Sequence, residues 1–195
     1  YVGRYARYES QPFVALNTAR AEDGAFIEIP NGTVVDEPIH LVYLSTNMDQ
    51  AATYPRNLVL IGAQSQVSVV ESFLGSGTYF TNAVTEIVAG ENAVVDHYKL
   101  QMESAPAFHV ASMQVQLARD ANFSSQSISL GGALTRNDIT AVLSEGTECT
   151  LNGFYLVDGT QHVDNHTAID HAKPHGTSHE LYKGILDGRS NAVFN

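Results

Sequence analysis

The chain has 195 residues, 44% of them hydrophobic, with 21 acidic side chains against 10 basic ones for a formal charge of −11. That is enough apolar material to bury a sizeable core in one domain, while the acidic balance repels phosphate backbones and anionic bilayers, so neither nucleic acid nor a membrane is an expected partner. The lone cysteine, Cys149, excludes an internal disulfide and fits a reducing compartment, cytoplasm or an organelle stroma; no apolar run approaches the roughly 20 residues that a membrane-spanning helix needs.

From the start, Tyr1 to Gln11 carries Tyr, Arg and Glu without a period, and it has neither an initiator methionine nor a signal-peptide core. Beyond it no window of a dozen residues holds a convincing 3.6 period. Short Val/Ile/Leu/Phe/Thr/Tyr-rich segments instead alternate with Gly/Asn/Asp/Ser turns, which predicts an all-β protein. One seven-residue figure recurs, an apolar residue, a small or polar turn of five, then an apolar or small residue. It spans Ile29 to Val35, Ile61 to Val67, Val88 to Val94, Leu117 to Phe123, Leu143 to Cys149 and Leu186 to Ala192. Its last residues are separated by 32, 27, 29, 26 and 43 positions. Asn47 to Pro55, between the first two figures, reads as a polar loop or a junction.

A spacing held in the twenties marks a solenoid in which the same corner falls in register coil after coil. Strands on either side stack in parallel, with Val, Ile, Leu and Phe inward and Ser, Thr, Gln and Glu outward in water, as in Gln66 to Glu71 and Thr147 to Asn152. An antiparallel sandwich would repeat its turns every 8–12 residues or so, and a left-handed hexapeptide helix needs a six-residue repeat that is absent. The spacing of 43 is too long for one coil, so the segment before Leu186 is a further coil or an insertion.

That segment, QHVDNHTAIDHAKPHGTS over 161–178, holds His162, His166, His171 and His175, with His179 following. Extended backbone puts His162, Asp164, His166, Ala168 and Asp170 on one face and Val163, Asn165, Thr167, Ile169 and His171 on the other. His162, Asp164 and His166 are therefore candidate ligands for a transient metal, in the N/O chemistry that suits iron, manganese or zinc. The plainer alternative is a row of solvated or hydrogen-bonded neighbours on an exposed strand. A helix aligning His171, His175 and His179 is opposed by Pro174 and Gly176, and no HExxH is present; Ala172 to Thr177 is a predicted turn.

Other chemistry is poorly represented. There is no nucleophile elbow around Ser124 to Ser127 and no phosphate-binding loop, Gly131-Gly132 reads as a corner, and Lys173 and Lys183 read as exposed lysines. Cys149, at an apolar repeat position, reads as a small buried hydrophobe, and one thiol does not hold a Cys₄ cluster.

The 161–178 run, with LYKGI at 181–185, AVFN at 192–195, SLGGALTRNDI at 129–139 and GTECTLNG at 146–153, resembles the SufB/SufD family, scaffold proteins of the Suf iron–sulfur assembly system. The likeness runs from about Asn57 onward, and the scarcity of cysteine resembles the SufD branch. It implies a right-handed parallel β-helix, the SufD-like core. It also implies a non-enzymatic scaffold that pairs with a SufB-like paralogue or with a second copy, and a SufC-like ATPase docked on a helical C-terminal segment. No stably bound cofactor is implied, only transient iron or a nascent cluster at the subunit interface. The family's cluster-forming histidine of the SufD branch lies in a motif this sequence does not contain, so no such role passes to Cys149 or to His162 through His179. Residues 1–195 are accordingly expected to be one β-helix core domain without the family's flanking helical segments. The competing class is a β-helix polysaccharide lyase or hydrolase, which uses clustered Asp and a basic residue along one face.

Overall fold

The computed structural model describes residues 3–46 and 50–195, so Tyr1 and Asn47, which open two of the aperiodic stretches, lie outside the described residues. Among the described residues one helix, α1 (Pro12–Arg20), precedes fourteen strands: β1 (Phe26–Ile29), β2 (Ile39–Ser45), β3 (Ala51–Thr53), β4 (Arg56–Ile61), β5 (Gln66–Gly75), β6 (Tyr79–Ala89), β7 (Val94–Met102), β8 (Phe108–Leu117), β9 (Asn122–Ser129), β10 (Leu134–Leu143), β11 (Glu148–Val157), β12 (His162–His171), β13 (Thr177–Leu186) and β14 (Asn191–Phe194). Two sheets result, one ordered β1-β4-β6-β8-β10-β12-β14 with β3 beside β6, the other β13-β11-β9-β7-β5-β2. The pairings within both are parallel. The chain thus climbs a parallel β-solenoid of about six turns, as the repeat predicted.

One corner explains the repeat. Gly32, Gln64, Asn92, Asp120, Gly146 and His175 occupy it with φ of 69, 58, 57, 56, 70 and 67°, a left-handed conformation that Gly, Asn and Asp tolerate best. From Gln64 to His175 these residues follow one another at 28, 28, 26 and 29 positions. The first five also donate their N–H to the next coil: Gly32 to the Ala63 carbonyl at 2.8 Å, Gln64 to Glu91 at 2.8 Å, Asn92 to Arg119 at 3.0 Å, Asp120 to Glu145 at 2.9 Å and Gly146 to Pro174 at 3.3 Å. The ladder therefore continues around the bend, leaving no unpaired turn between coils.

The spacing of 43 is also accounted for. The 161–178 run is a further coil, supplying β12 and the turn to β13, with His175 in the shared corner. The Leu186 figure belongs to the opposite corner, where Gly159 and Gly188 take the positive φ. The helix α1 was not anticipated, because its nine residues fall short of the window in which a 3.6 period shows. The expected loop at 47–55 contains the short strand β3.

Inside, like residues lie above one another. Val67, Val95, Phe123 and Cys149 form one column, and Val59, Ile87, Val115, Ala141 and Ile169 another. Each fully buried aliphatic or Phe side chain contributes roughly 1.5–3 kcal/mol. Outside, α1 packs on β6 and part of β8, and Arg56 of β4 donates to Asn17 and Thr18 of α1. The Glu86 carboxylate, fully buried, accepts the N–H groups of Gly3, Tyr5 and Ala6 at 2.9, 2.8 and 3.1 Å, and Arg56 Nε at 3.0 Å. Asn17 of α1 donates to the carbonyls of Pro55 and Asn82 at 3.0 and 2.8 Å, and Asn82 donates back to Phe13 at 2.9 Å. Among the described residues no helix is long and apolar enough to cross a membrane.

Toward the last coils the interior is filled by alternating sizes. Gly153 stands beside Tyr182 and Gly184 beside Tyr155. A Cβ on Gly153 would lie 2.1 Å from the Tyr182 ring, and one on Gly184 1.9 Å from the Tyr155 ring. Gly153→Ala is expected to lower stability by about 1–3 kcal/mol through overpacking, read as a shift of the urea unfolding midpoint with an unchanged slope.

Candidate functional site

The solenoid interior is divided lengthwise. Beside the left-handed corner it is apolar, whereas toward the opposite corner it is polar. The strand β7 shows why: His97, Lys99 and Gln101 point inward with exposures of 1, 8 and 0%, while Tyr98 and Met102 point outward at 43 and 39%. This corrects the expectation that Ser, Thr, Gln and Glu face water, because Glu71, Thr81, Thr85, Gln101, Glu103, Ser125, Ser127, Ser129 and Thr135 are all buried. The physical reason is register. Val67, Val95 and Phe123 fix strand parity at the corner, and with a period of two every later residue of those strands follows it inward or outward.

The buried groups satisfy one another. Tyr43 Oη donates to Asn57 Oδ1 at 2.6 Å, and Asn57 Nδ2 and Thr85 Oγ1 donate to Glu71 Oε1 at 2.7 and 2.8 Å. Glu71 Oε2 lies 2.9 Å from His97 Nε2, whose Nδ1 lies 3.0 Å from Ser125 Oγ. With Glu71 ionised, Nε2 carries the proton toward it, and a neutral ring accepts from Ser125 at Nδ1. A second chain runs from Lys99 Nζ to Asn137 Oδ1 at 2.6 Å and from Asn137 Nδ2 to Asn165 Oδ1 at 2.9 Å. In a third group Thr81 Oγ1 and Gln101 Nε2 donate to Glu103 at 2.6 and 3.1 Å. There His109 Nδ1 sits 2.7 Å from Glu103 Oε2, an ion-pair distance but off the line a hydrogen bond requires, and His109 Nε2 has no hydrogen-bond partner among the described residues. Glu103 and Thr81 form part of a groove of about 600 Å³ with Arg20, Tyr43, Ser45 and Tyr54, where the polar half of the interior meets the surface.

Burial and charge act against each other in this network. Burial pushes the Glu71 carboxyl up, but the hydrogen bond and charge of His97, the Thr85 hydroxyl and Lys99 hold it below its ordinary value. Burial likewise raises Glu103, and His109, Thr81 and Gln101 pull it down to about 2. Glu86 is lowered by Arg56 and its three backbone amides against the same burial effect. Burial pushes Lys99 down to about 8 despite Glu71, Glu103 and Asp138, and it pushes His109 down with help from the Lys99 charge.

The three metal candidates do share the outer face of β12, with Val163 and Asn165 buried behind them. Asp164 is already engaged on both oxygens, with Oδ1 2.7 Å from His166 Nε2 and Oδ2 2.8 Å from Arg136 Nη1. Arg136 also binds Asp138, with Nε and Nη2 each 3.0 Å from its carboxylate oxygens. His162 stands about 13 Å along the strand from His166, four residues at the ~3.3 Å rise, and so does not join that cluster. Among the described residues no group of three or more His, Cys, Asp or Glu side chains is disposed to hold a metal ion. His171 bonds Ser178 at 3.0 Å, and His175 is a corner residue. Cys149 is fully buried, and burial with the Glu180 charge pushes its thiol up to about 12, so it is a packed, unreactive side chain.

A parallel solenoid with a part-polar interior and a capping N-terminal segment is the class of protein defined here. Residues 43–195 match the family profile described as the SUF system FeS cluster assembly SufBD core domain, and residues 1–41 match the SufBD N-terminal region. The chain belongs to the SufBD family. The core match begins ahead of Asn57, where the likeness becomes visible by eye. Among its relatives, an iron-sulfur cluster assembly SufBD family protein of Synechocystis sp. is 32% identical over 95% of this chain and 44% of the relative. Protein ABCI7, chloroplastic, of Arabidopsis thaliana is 31% identical over 93% of this chain and 41% of its own length. The iron-sulfur cluster assembly protein SufD of Escherichia coli is 26% identical over 96% and 46%. The chain thus spans less than half the length of these relatives.

Stability is expected to fall on acidification. Glu71, Glu86 and Glu103 titrate lower folded than their ordinary 4.5, so their contribution is present above about that pH and is lost as pH drops through the folded values. His109 also titrates below its ordinary 6.5, so as pH falls below about 6.5 the unfolded chain takes up a proton that the folded ring resists, and stability falls until the folded ring is itself protonated. Urea midpoints are expected to decline from near pH 6.5, more steeply below 4.5, and His109→Gln should flatten the upper part of that decline.

Proposed function

We propose that this chain is the rigid core of a non-enzymatic scaffold subunit in iron–sulfur cluster assembly, most similar to SufD. It pairs with a SufB-like β-helix or with a second copy, and it works with a SufC-like ATPase that supplies the motion. What carries the proposal is the match to the SufBD core over residues 43–195 on a solenoid whose strands pair in register from coil to coil, the arrangement a rigid core requires. Family membership supports a role in cluster assembly, and a chloroplastic relative supports a plastid stroma or bacterial cytoplasm as the setting. Affinity purification of the complete protein from its native source is expected to recover an ABC-type ATPase and a SufB-like protein in stoichiometric amounts. Recovery of neither would overturn the assignment.

On this reading iron or a nascent cluster is cargo in passage at a subunit interface. The outer face of β12 would take iron only weakly, because Arg136 holds Asp164. Calorimetric titration with Fe²⁺ is expected to give a weak isotherm that is lost in His162→Ala/His166→Ala. Identical isotherms for the two proteins would remove these residues from any role in iron handling.

A lyase has one observation in its favour: Arg136, Asp138 and His166 line a groove of about 510 Å³ beside the start of α1. Turnover of an acidic glycan by the purified protein would establish it, but the guanidinium is tied to both Asp138 and Asp164 and is not free to bind a sugar carboxylate.

A further inference from the structure

Two of the buried hydrogen-bond chains end close to each other without touching. The first is Tyr43–Asn57–Glu71–His97–Ser125, and the second is Lys99–Asn137–Asn165. Between them lies a cavity of about 20 Å³, counted over the positions open to the centre of a water molecule, whose lining includes His97, Lys99, Ser125, Ser127 and Asn137. One water requires roughly 10–15 Å³ by that measure and two to four polar partners.

The ammonium of Lys99 supplies the demand. It has three N–H donors, of which one goes to Asn137, and it stands 5.4 Å from the centre of the Phe73 ring, which attracts its charge but accepts no full hydrogen bond. Lys99 is 8% exposed, and a buried charged donor left without an acceptor is costly. Ser125 and Ser127 bring hydroxyls that both donate and accept, and their small size leaves the space.

We propose that this cavity is a water-binding site, in which a single buried water accepts from Lys99 Nζ and donates toward the serine hydroxyls of β9, joining the two chains into one network. The charges nearby select a neutral occupant. An anion would meet the carboxylates of Glu71, Glu103 and Asp138, which act on Lys99 itself, and a cation would meet the ammonium. The joined network runs from Tyr43 on β2 to Asn165 on β12, so it links the solenoid from its first coil to its sixth.

A crystal structure of the complete protein at a resolution that orders internal solvent is expected to show one water within hydrogen-bond distance of Lys99 Nζ and of a β9 serine. In solution, counting long-lived internal waters by oxygen-17 and deuterium relaxation dispersion should find one fewer in Ser127→Val, whose added methyl groups fill the space. Lys99→Met, which removes the donor, should lose the same water. Density at the wild-type site showing a dry cavity, or an ion in place of water, would overturn the proposal. So would an unchanged count in a folded Ser127→Val protein. The wild-type density decides the matter even if neither variant folds.

Discussion

In-register parallel stacking is the constraint on which the rest of this molecule depends. Each coil must return the chain to a point one strand spacing above where it began, and the left-handed residue at one corner, bonded to the coil above, sets that return. Once coil lengths are held at 26 to 29 residues over this corner, every side chain acquires a neighbour of known identity above and below. Columns such as Val67, Val95, Phe123 and Cys149 are consequences of that registration. So is the pairing of tyrosine with glycine in the last coils, where a large residue in one layer fits because the next layer yields.

Stacking also makes a charged interior tolerable. A buried glutamate or lysine is costly on its own, yet in a solenoid the adjacent coils present partners at a fixed spacing of about 4.8 Å. Glu71 finds His97 on the next coil, Glu103 finds His109 on the next coil and Thr81 on its own, and Lys99 reaches across the interior to Asn137 two coils on. Such a network adds little net stability over an apolar core, but it penalises any slip of one coil against the next, because a displaced strand would leave ions unpaired. Specific registration of this kind supports the scaffold role proposed above.

The N-terminal segment applies the same logic on the outside. Glu86 would be an ordinary surface carboxylate of the β6 strand but for the three backbone amides and Arg56 that close over it. The strip of sheet under α1 is thereby converted into interior. The strip beside it remains open, with Arg136, Asp138, Asp164 and His166 forming a polar surface cluster.

The sequence alone determined the architecture, because a left-handed corner every 26 to 32 residues, taken by Gly, Asn or Asp at four of its six positions and by Gln64 and His175 at the others, is a local, repeated requirement that leaves its period in the chain. It likewise determined the two faces of β12 and the turn at Pro174 to Gly176, since alternation and proline act locally. Which face of β7 turns inward was decided only by the tertiary structure. Tyr98, Leu100 and Met102 alternate with His97, Lys99 and Gln101, so the pattern by itself points the apolar set to the core. Parity is instead imposed from Val95 at the corner and from partners 26 to 38 residues away, such as Glu71 and Asn137. The engagement of Asp164 by Arg136, 28 residues earlier, was hidden for the same reason: only stacking brings those two residues onto neighbouring strands.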